Sequence, residues 1–402
     1  QEYQNNSIEY VLLGGDVSKI GARGLYCYVV SGAGYEDNNI PADLYFSALD
    51  GTFDEDGDGI YGEALEDSVD LLPEVAIGRF PVEDAAEIAN MVNKTIAYQK
   101  QPVVSDMNRI LMLGELLIDI PLTMGQDYLK LLIDDHNDNG YTTSGIPSAT
   151  NTIDTLYDQW NQTMGYADEW SPMDMIDQIN MGYSFIHHVG HSGEEYMMRM
   201  NITDFDETTF APLNGTTHSY GLVYSHGCMC GSFDWDDCIA EKSVLLDNYL
   251  AACIVNSRYG WFNEGQTEGP SAHLHREFVD ALFDQVLVIN QDFIIEHANG
   301  SCAEALGYAD PGEIVGRHCH EVSHGLDHPC SDADHPCPLT LVLKRADGRG
   351  TSIARIEPPG FDGGTLDRVH AHFESAPDRR VHHRIRAVRV ARTDIAISTG
   401  AG

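Results

Sequence analysis

Short apolar runs alternating with amphipathic stretches constrain this chain more than any other feature. Residues 9–13 read as a buried strand ending in Gly14-Gly15-Asp16, and 109–113, 184–188, 221–225 and 251–256 repeat the pattern. Between them, 85–98 sets Ile88, Met91, Val92 and Ile96 at helical spacing, and 124–136 and 271–282 are further expected helices. The alternation predicts an α/β sheet, mostly parallel, with helices on both faces. In such a sheet, chemistry collects just beyond the carboxyl ends of the strands.

Two of those strand ends carry reactive side chains. Phe185-Ile-His-His-Val-Gly-His191-Ser-Gly-Glu-Glu195 runs into a Gly-flanked turn bearing His191, and Leu222-Val-Tyr-Ser-His-Gly-Cys228-Met-Cys-Gly231 into one bearing Cys228. Spacing alone leaves three readings open. One is a Cys-His nucleophilic pair. Another is a buried structural cysteine beside a hydrogen-bonded loop histidine. The third is a metal site drawn from His187, His188, His191, Cys228 and Cys230, without a regular zinc spacing. Cys230 competes with Cys228 as nucleophile, whereas Cys27, Cys238 and Cys253 lie in core-like contexts.

Charge excludes some partners and divides the chain. Of 63 Asp+Glu and 23 Lys+Arg in 402 residues, 47 and 11 fall in 1–284, which therefore carries nearly all of the net charge of -40. Nucleic acid is not expected as a partner of so acidic a chain. Residues 285–402 are Arg-rich and hold 10 of the 18 His, which sets a domain boundary near Asp284-Gln285. No run is apolar enough for a membrane helix, the longest being broken by Glu115 and Asp119. The first residue is Gln1 rather than Met, so the natural start and any signal peptide are expected upstream.

Residues 50–63, Asp-Gly-Thr-Phe-Asp-Glu-Asp-Gly-Asp-Gly-Ile-Tyr-Gly-Glu, contain D-x-D-x-D-G, the opening of a calcium loop. Position twelve of an EF-hand would be Leu65, so this is not one. Asp54, Asp56, Asp58 and the Ile60 carbonyl are the expected ligands, with Asp50, Glu63 or Glu66 completing the shell.

Tyr10-Val-Leu-Leu-Gly-Gly-Asp16, Asp43-Leu-Tyr-Phe-Ser-Ala-Leu-Asp50, Val75-Ala-Ile-Gly-Arg-Phe-Pro81, Val189-Gly-His191, Gly227-Cys228, Cys238-Ile-Ala-Glu241 and Asn256-Ser-Arg-Tyr-Gly-Trp261 occur in this order. Together they resemble the catalytic domain of the gingipain family of cysteine peptidases, over about residues 9–283. The resemblance implies a caspase-like fold, a cysteine endopeptidase with protein or peptide substrates, His191 as catalytic histidine and Cys228 as nucleophile. It further implies oxyanion donors at the backbone of Ser192, Gly193 and Cys228, a substrate pocket walled by Trp261, a structural calcium ion, and a secreted or cell-surface location. Cleavage after basic residues is a further expectation. One departure is Ser192, since the best-known members have Gly directly after the histidine.

The second segment differs. Val286-Leu-Val-Ile-Asn-Gln-Asp-Phe-Ile-Ile-Glu-His-Ala-Asn299 reads as two strands around a turn, and with Ile314-Val-Gly-Arg317 and Pro336-Cys-Pro-Leu339 it is similar to a PAS sensor domain, over about 286–345. This implies an α+β segment. Cys319, Cys330 and Cys337 among several histidines could hold a metal or an iron-sulfur centre, or stay unmetallated. Residues 346–402 form an Arg-rich tail with no assigned fold. Two rival readings follow: a catalytically silent caspase-like binding module, and a redox or metal sensor using the PAS-like segment.

Overall fold

The computed structural model describes residues 8, 10–30 and 34–283 apart from 65, 70 and 72, most of 286–329, and strands at 352–354, 368–373 and 385–391. The chain forms two compact units, Gln1–Leu129 with Thr150–Ala272, and Lys130–Ala149 with His273–Gly402. The expected boundary at Asp284-Gln285 and the cysteines Cys330 and Cys337 lie outside the described residues.

The first unit is built on a five-stranded sheet: β1 (Arg109–Gly114), β2 (Thr152–Tyr157), β3 (Phe185–Val189), β4 (Gly221–Ser225) and β5 (Leu250–Ile254). Their order is β2-β1-β3-β4-β5, and every pairing is parallel. All five residues of β3 are buried, as are the last five of β1. Since successive side chains point to opposite faces, both faces are covered, as such apolar strands require. Leu111, Leu113, Ile186, Val223 and Leu250 pack in one core with residues of three helices, α1 (Ala85–Lys100), α2 (Pro172–Ile179) and α3 (Ile239–Leu245).

β2 and α2 were missed in the sequence for different reasons. β2 is an edge strand whose apolar residues are diluted by Thr152, Asp154 and Thr155. α2, in contrast, is announced by Ser171-Pro172-Met-Asp174: Ser171 and Asp174 form a reciprocal capping box, with Pro172 in the first turn.

α1 begins where expected, with the Asp84 carboxylate accepting the Ala86 and Glu87 N–H groups at 2.8 and 3.1 Å. It turns a different face inward, however. Met91 and Lys94 are buried, while Ile88, Val92 and Ile96 are 43%, 39% and 46% exposed. Asn90 Nδ2 donates to the Leu245 carbonyl at 2.7 Å, and Lys94 Nζ donates to the carbonyls of Val244 and Leu246. The last carbonyls of α3 need donors, and the polar residues that supply them set the rotation of α1. Burial pulls the Lys94 ammonium down to about 8.

The expected helix over 124–136 stops at Lys130, as helix Gly125–Lys130. In the second unit the chain then forms the hairpin His136–Asp138 with Tyr141–Thr143, turned by Asn139 and Gly140 at φ +50° and +86°. Asn-Gly is the residue pair that a tight hairpin turn selects. Asp280, on helix Pro270–Phe283, accepts the N–H groups of Ser144 and Gly145, both at 3.0 Å.

The second unit also holds an antiparallel sheet of β6 (Val286–Ile289), β7 (Ile295–Ala298), β8 (Ser352–Ala354), β9 (Arg368–Phe373) and β10 (Ile385–Ala391), ordered β7-β6-β10-β9-β8. β6 and β7 are the two strands expected around a turn. β8 to β10 come from the tail to which the sequence reading gave no fold, although Arg368-Val-His-Ala-His-Phe373 alternates polar and apolar residues as a strand does.

Candidate active site

β3 and β4 are neighbours in register, with His188 opposite Ser225. His191 and Cys228 each follow three residues beyond that pair, so parallel pairing brings the two turns to the same edge of the sheet. The order β2-β1-β3 also reverses the winding between β1 and β3, where open α/β sheets form their crevice. A cleft of about 450 Å³ lies there, lined by Leu117, Asp119, Glu169, His191, Tyr196 and Arg199 among others.

His191 is exposed, and its Nε2 lies 3.1 Å from the Leu117 carbonyl. A carbonyl only accepts, so Nε2 carries the hydrogen and Nδ1 is the basic nitrogen. The backbone N–H of His191 donates to Glu115 Oε2 at 3.2 Å. Glu115 was not singled out from the sequence, although it directly follows β1. Burial opposes its ionisation, but the His188 hydrogen bond, the Arg199 guanidinium and the His191 amide together hold its carboxyl below the usual range.

Cys228 is half-buried, and its sulfur approaches the Gly260 carbonyl at 3.8 Å. Burial pushes its thiol up. No hydrogen bond joins Cys228 to His191 among the described residues. The turn is tightened by Met229 at φ +57°, whose N–H donates to the Arg258 carbonyl at 2.7 Å. Asn256 Nδ2 donates to the carbonyls of His226 and Gly227 at 3.1 and 3.0 Å, fixing the strand end. Among the described residues the Cys228 N–H has no hydrogen-bond partner, and the space beside Gly193 is open. Ser192 and Gly193 form a short antiparallel ribbon with Tyr196–Met197.

Cys230 is fully buried beneath the turn, its thiol pushed up to about 11 by burial, so the accessible sulfur is that of Cys228. Cys238 is buried and Cys253 partly so, in line with core roles; Cys27 is half-buried. His187 and His188 are both wholly buried, on opposite faces of β3. His187 stacks on Tyr224 at 4.8 Å between ring centres, and burial drives its imidazole well down. His226, buried too, sits 3.3 Å from the Trp261 carbonyl through Nε2, and its imidazole is pulled down to about 4 by burial. No cluster of His and Cys suited to a metal ion occurs among the described residues.

Trp261 is half-buried and packs with Tyr35 and Tyr259 at centroid distances of 5.6 and 5.9 Å. Gly260 between them has no room for a side chain, because a Cβ would fall 2.0 Å from the His226 carbonyl oxygen. Arg258 binds Asp37 at 3.2 Å and Asp234 at 2.8 Å, tying this segment to the antiparallel pair of Arg23–Val29 and Tyr35–Ala42.

In the acidic loop, Asp54, Asp56 and Asp58 each place a carboxylate oxygen within 4.8 Å of the others. Asp54 accepts the Gly59 N–H at 3.2 Å, Asp56 that of Asp58 at 3.1 Å, and Asp58 that of Ile60 at 2.8 Å. Asp67, unremarked in the sequence, accepts the N–H groups of Glu55, Gly62 and Glu63 at 2.7, 2.9 and 2.9 Å. Glu63 stands outside the convergent trio, and its carboxyl is raised by desolvation and then by Glu66, Asp58, Asp56 and Asp67. A hard dication would relieve that repulsion, and the oxygen donors suit calcium.

A buried parallel sheet here presents one histidine and one accessible cysteine on adjacent strand ends, the residue types that nucleophilic cysteine chemistry uses. Peptidase family C25 matches residues 1–309, and the chain belongs to that family of cysteine peptidases. Its five-stranded parallel sheet, packed against helices, is the α/β architecture that the strand and helix pattern predicted. No curated protein matches the chain. Among solved structures, the Arg-specific cysteine proteinase gingipain R is similar at 19% identity and a TM-score of 0.45, over 65% of this chain and 52% of that one. The complex of Porphyromonas gingivalis RgpB pro- and mature domains gives 20% and 0.41, over 64% and 52%. The PAS domain of an HTR-like protein from Haloarcula marismortui gives 22% and 0.18, over 29% and 91%. The chain spans about half the length of the gingipain structures it matches. Among the described residues no helix is long and apolar enough to cross a membrane.

Proposed function

We propose that this chain is a cysteine endopeptidase acting through Cys228 and His191. The observation that carries the reading is the shared register of the two turns, three residues past the paired His188 and Ser225. His191 Nδ1 takes the Cys228 proton as the sulfur attacks the scissile carbonyl, giving a tetrahedral oxyanion. Collapse to a thioester expels the amine, which receives the proton from His191. His191 then activates water for deacylation. The partnerless N–H of Cys228 and the open side of Gly193 support an oxyanion site there, where one such donor is worth about 3 kcal/mol.

Cleavage after basic residues is part of the proposal, supported by Asp119 and Glu169 in the cleft that holds His191. Trp261 is assigned to the substrate wall. The convergence of Asp54, Asp56 and Asp58 supports a structural calcium ion, with the Ile60 carbonyl and Glu63 as further ligands. A secreted or cell-surface location belongs to the same reading. The antiparallel sheet of the second unit supports a PAS-like segment behind the peptidase.

The test is hydrolysis of a fluorogenic peptide library by wild type, Cys228→Ala and Cys230→Ala. Activity abolished only in Cys228→Ala, with basic residues before the cleaved bond, supports the proposal. A wild type that cleaves nothing, or a Cys228→Ala that remains active, overturns it.

A further inference from the structure

His188 is the fourth residue of β3, its ring has no exposure to solvent, and both ring nitrogens are engaged. Nε2 lies 2.9 Å from Glu115 Oε1, and Nδ1 lies 2.9 Å from Ser225 Oγ on the adjacent strand. Each of these partners holds one of the two turns. Glu115 accepts the backbone N–H of His191 at 3.2 Å, and Ser225 Oγ accepts the backbone N–H of Gly227, the residue before Cys228, at 3.1 Å.

The hydrogens can be counted. The Glu115 carboxylate accepts only, so Nε2 carries the hydrogen it shares with Glu115. Nδ1 then accepts the Ser225 hydroxyl hydrogen, and the Ser225 oxygen is left to accept from Gly227. The chain is closed at every link, as a polar network inside a sheet has to be if it is not to cost stability. Arg199, 3.9 Å from Glu115 and 2.7 Å from Asp158, steadies its acidic end. Packing alone does not ask for this arrangement. His187, one residue earlier, fills its side of the sheet by stacking on Tyr224.

We infer that His188 is a positioning residue, which through Glu115 on one ring nitrogen and Ser225 on the other holds the His191 turn and the Cys228 turn in a single register. It touches no substrate. Its effect is on the placement of the Cys228 sulfur relative to the His191 ring, and an error of about 1 Å there can cost roughly a hundredfold in rate. The inference rests on the peptidase reading only for its catalytic readout.

The experiment compares His188→Gln, Ser225→Ala, their double variant and Ser225→Thr with wild type. Gln keeps a donor toward Glu115 but lacks the second nitrogen, and Thr keeps the hydroxyl. Two readouts are taken on the full chain: kcat and KM for a peptide substrate, and the rate at which iodoacetamide alkylates Cys228, located by mass spectrometry of the digested protein. We expect each disrupting single variant to lower kcat about 10- to 100-fold with KM within about twofold, the double variant to lose no more than the worse single one, and Ser225→Thr to recover most of the loss. The alkylation rate at Cys228 should change in the same variants and recover in Ser225→Thr. Should His188→Gln fail to fold, Ser225→Ala and Ser225→Thr carry the test. Folded variants with wild-type kcat and wild-type alkylation, or losses that simply multiply in the double variant, overturn the inference. If the wild type cleaves no peptide, the peptidase reading falls while the alkylation series still decides the positioning role.

Discussion

The Ser192 hydroxyl fills the space beside the Gly227 α-carbon: a Cβ built on Gly227 would lie 1.9 Å from Ser192 Oγ and 2.6 Å from Ser192 Cβ. The residue after His191 and the residue before Cys228 are therefore in direct contact. Ser192, which departs from the Gly of the best-known gingipains, is the side chain that makes this contact.

Gly227→Ala should abolish activity and lower the melting temperature, since neither partner in that contact can retreat without moving a turn. Ser192→Gly in the same chain should restore much of both by emptying the space. The check is a comparison of the two singles and the double by thermal unfolding and peptide hydrolysis. A double variant no better than Gly227→Ala would show that the clash lies elsewhere.

Burial keeps the Cys228 thiol above its ordinary value, so resting enzyme should hold a thiol rather than a preformed thiolate-imidazolium pair. The alkylation rate of Cys228 by iodoacetamide should then keep climbing through pH 8 and above. A plateau already reached below pH 6 would count against this.

Glu241 is buried, and its carboxyl is raised from 4.5 to about 7, first by desolvation and, against the hydrogen bonds from Cys238, by the nearby Asp16. Because the folded value lies above the unfolded one, its contribution is fully present below about pH 4.5 and is lost as pH rises through about 7. Glu241→Gln, which can still accept from the Cys238 N–H, should match wild type in urea unfolding at pH 4. At pH 8 it should be more stable by roughly 2 kcal/mol. Equal stability at both pH values would refute the assignment.

Calcium at saturating concentration should raise the melting temperature by about 5 °C over the chelated protein. Asp56→Asn should remove most of that response. Magnesium, which demands a tighter octahedral shell, should substitute poorly. Scanning calorimetry with calcium, magnesium and chelator measures all three, and a calcium-independent unfolding curve in wild type would dismiss the ion.

How much of this was legible depended on where each signal resides. His191 and Cys228 stood out because glycines at strand ends mark turns, and turn residues are local information. Glu115 and Ser225 did not, since a carboxylate after one strand and a serine closing another acquire meaning only when parallel pairing stacks β1, β3 and β4. The rotation of α1 was misread for a similar reason. Its apolar stripe is plain in the sequence, but the carbonyls that Asn90 and Lys94 satisfy belong to a helix about 150 residues further along. The Asn139-Gly140 hairpin and the Ser171 capping box were local signals and could have been read.

The packing of Tyr35 on Trp261 has a further consequence for how the molecule comes into being. Trp261 follows Tyr35 by more than two hundred residues, and the clasp between them, Arg258 on Asp37, spans 221 positions. Contacts so remote in the chain are slow to close, and on the ribosome they cannot close at all until the last of these residues has emerged. A nascent chain would already carry His191 and Cys228 before Tyr35 and Trp261 can pack together. Chain connectivity alone sets that order.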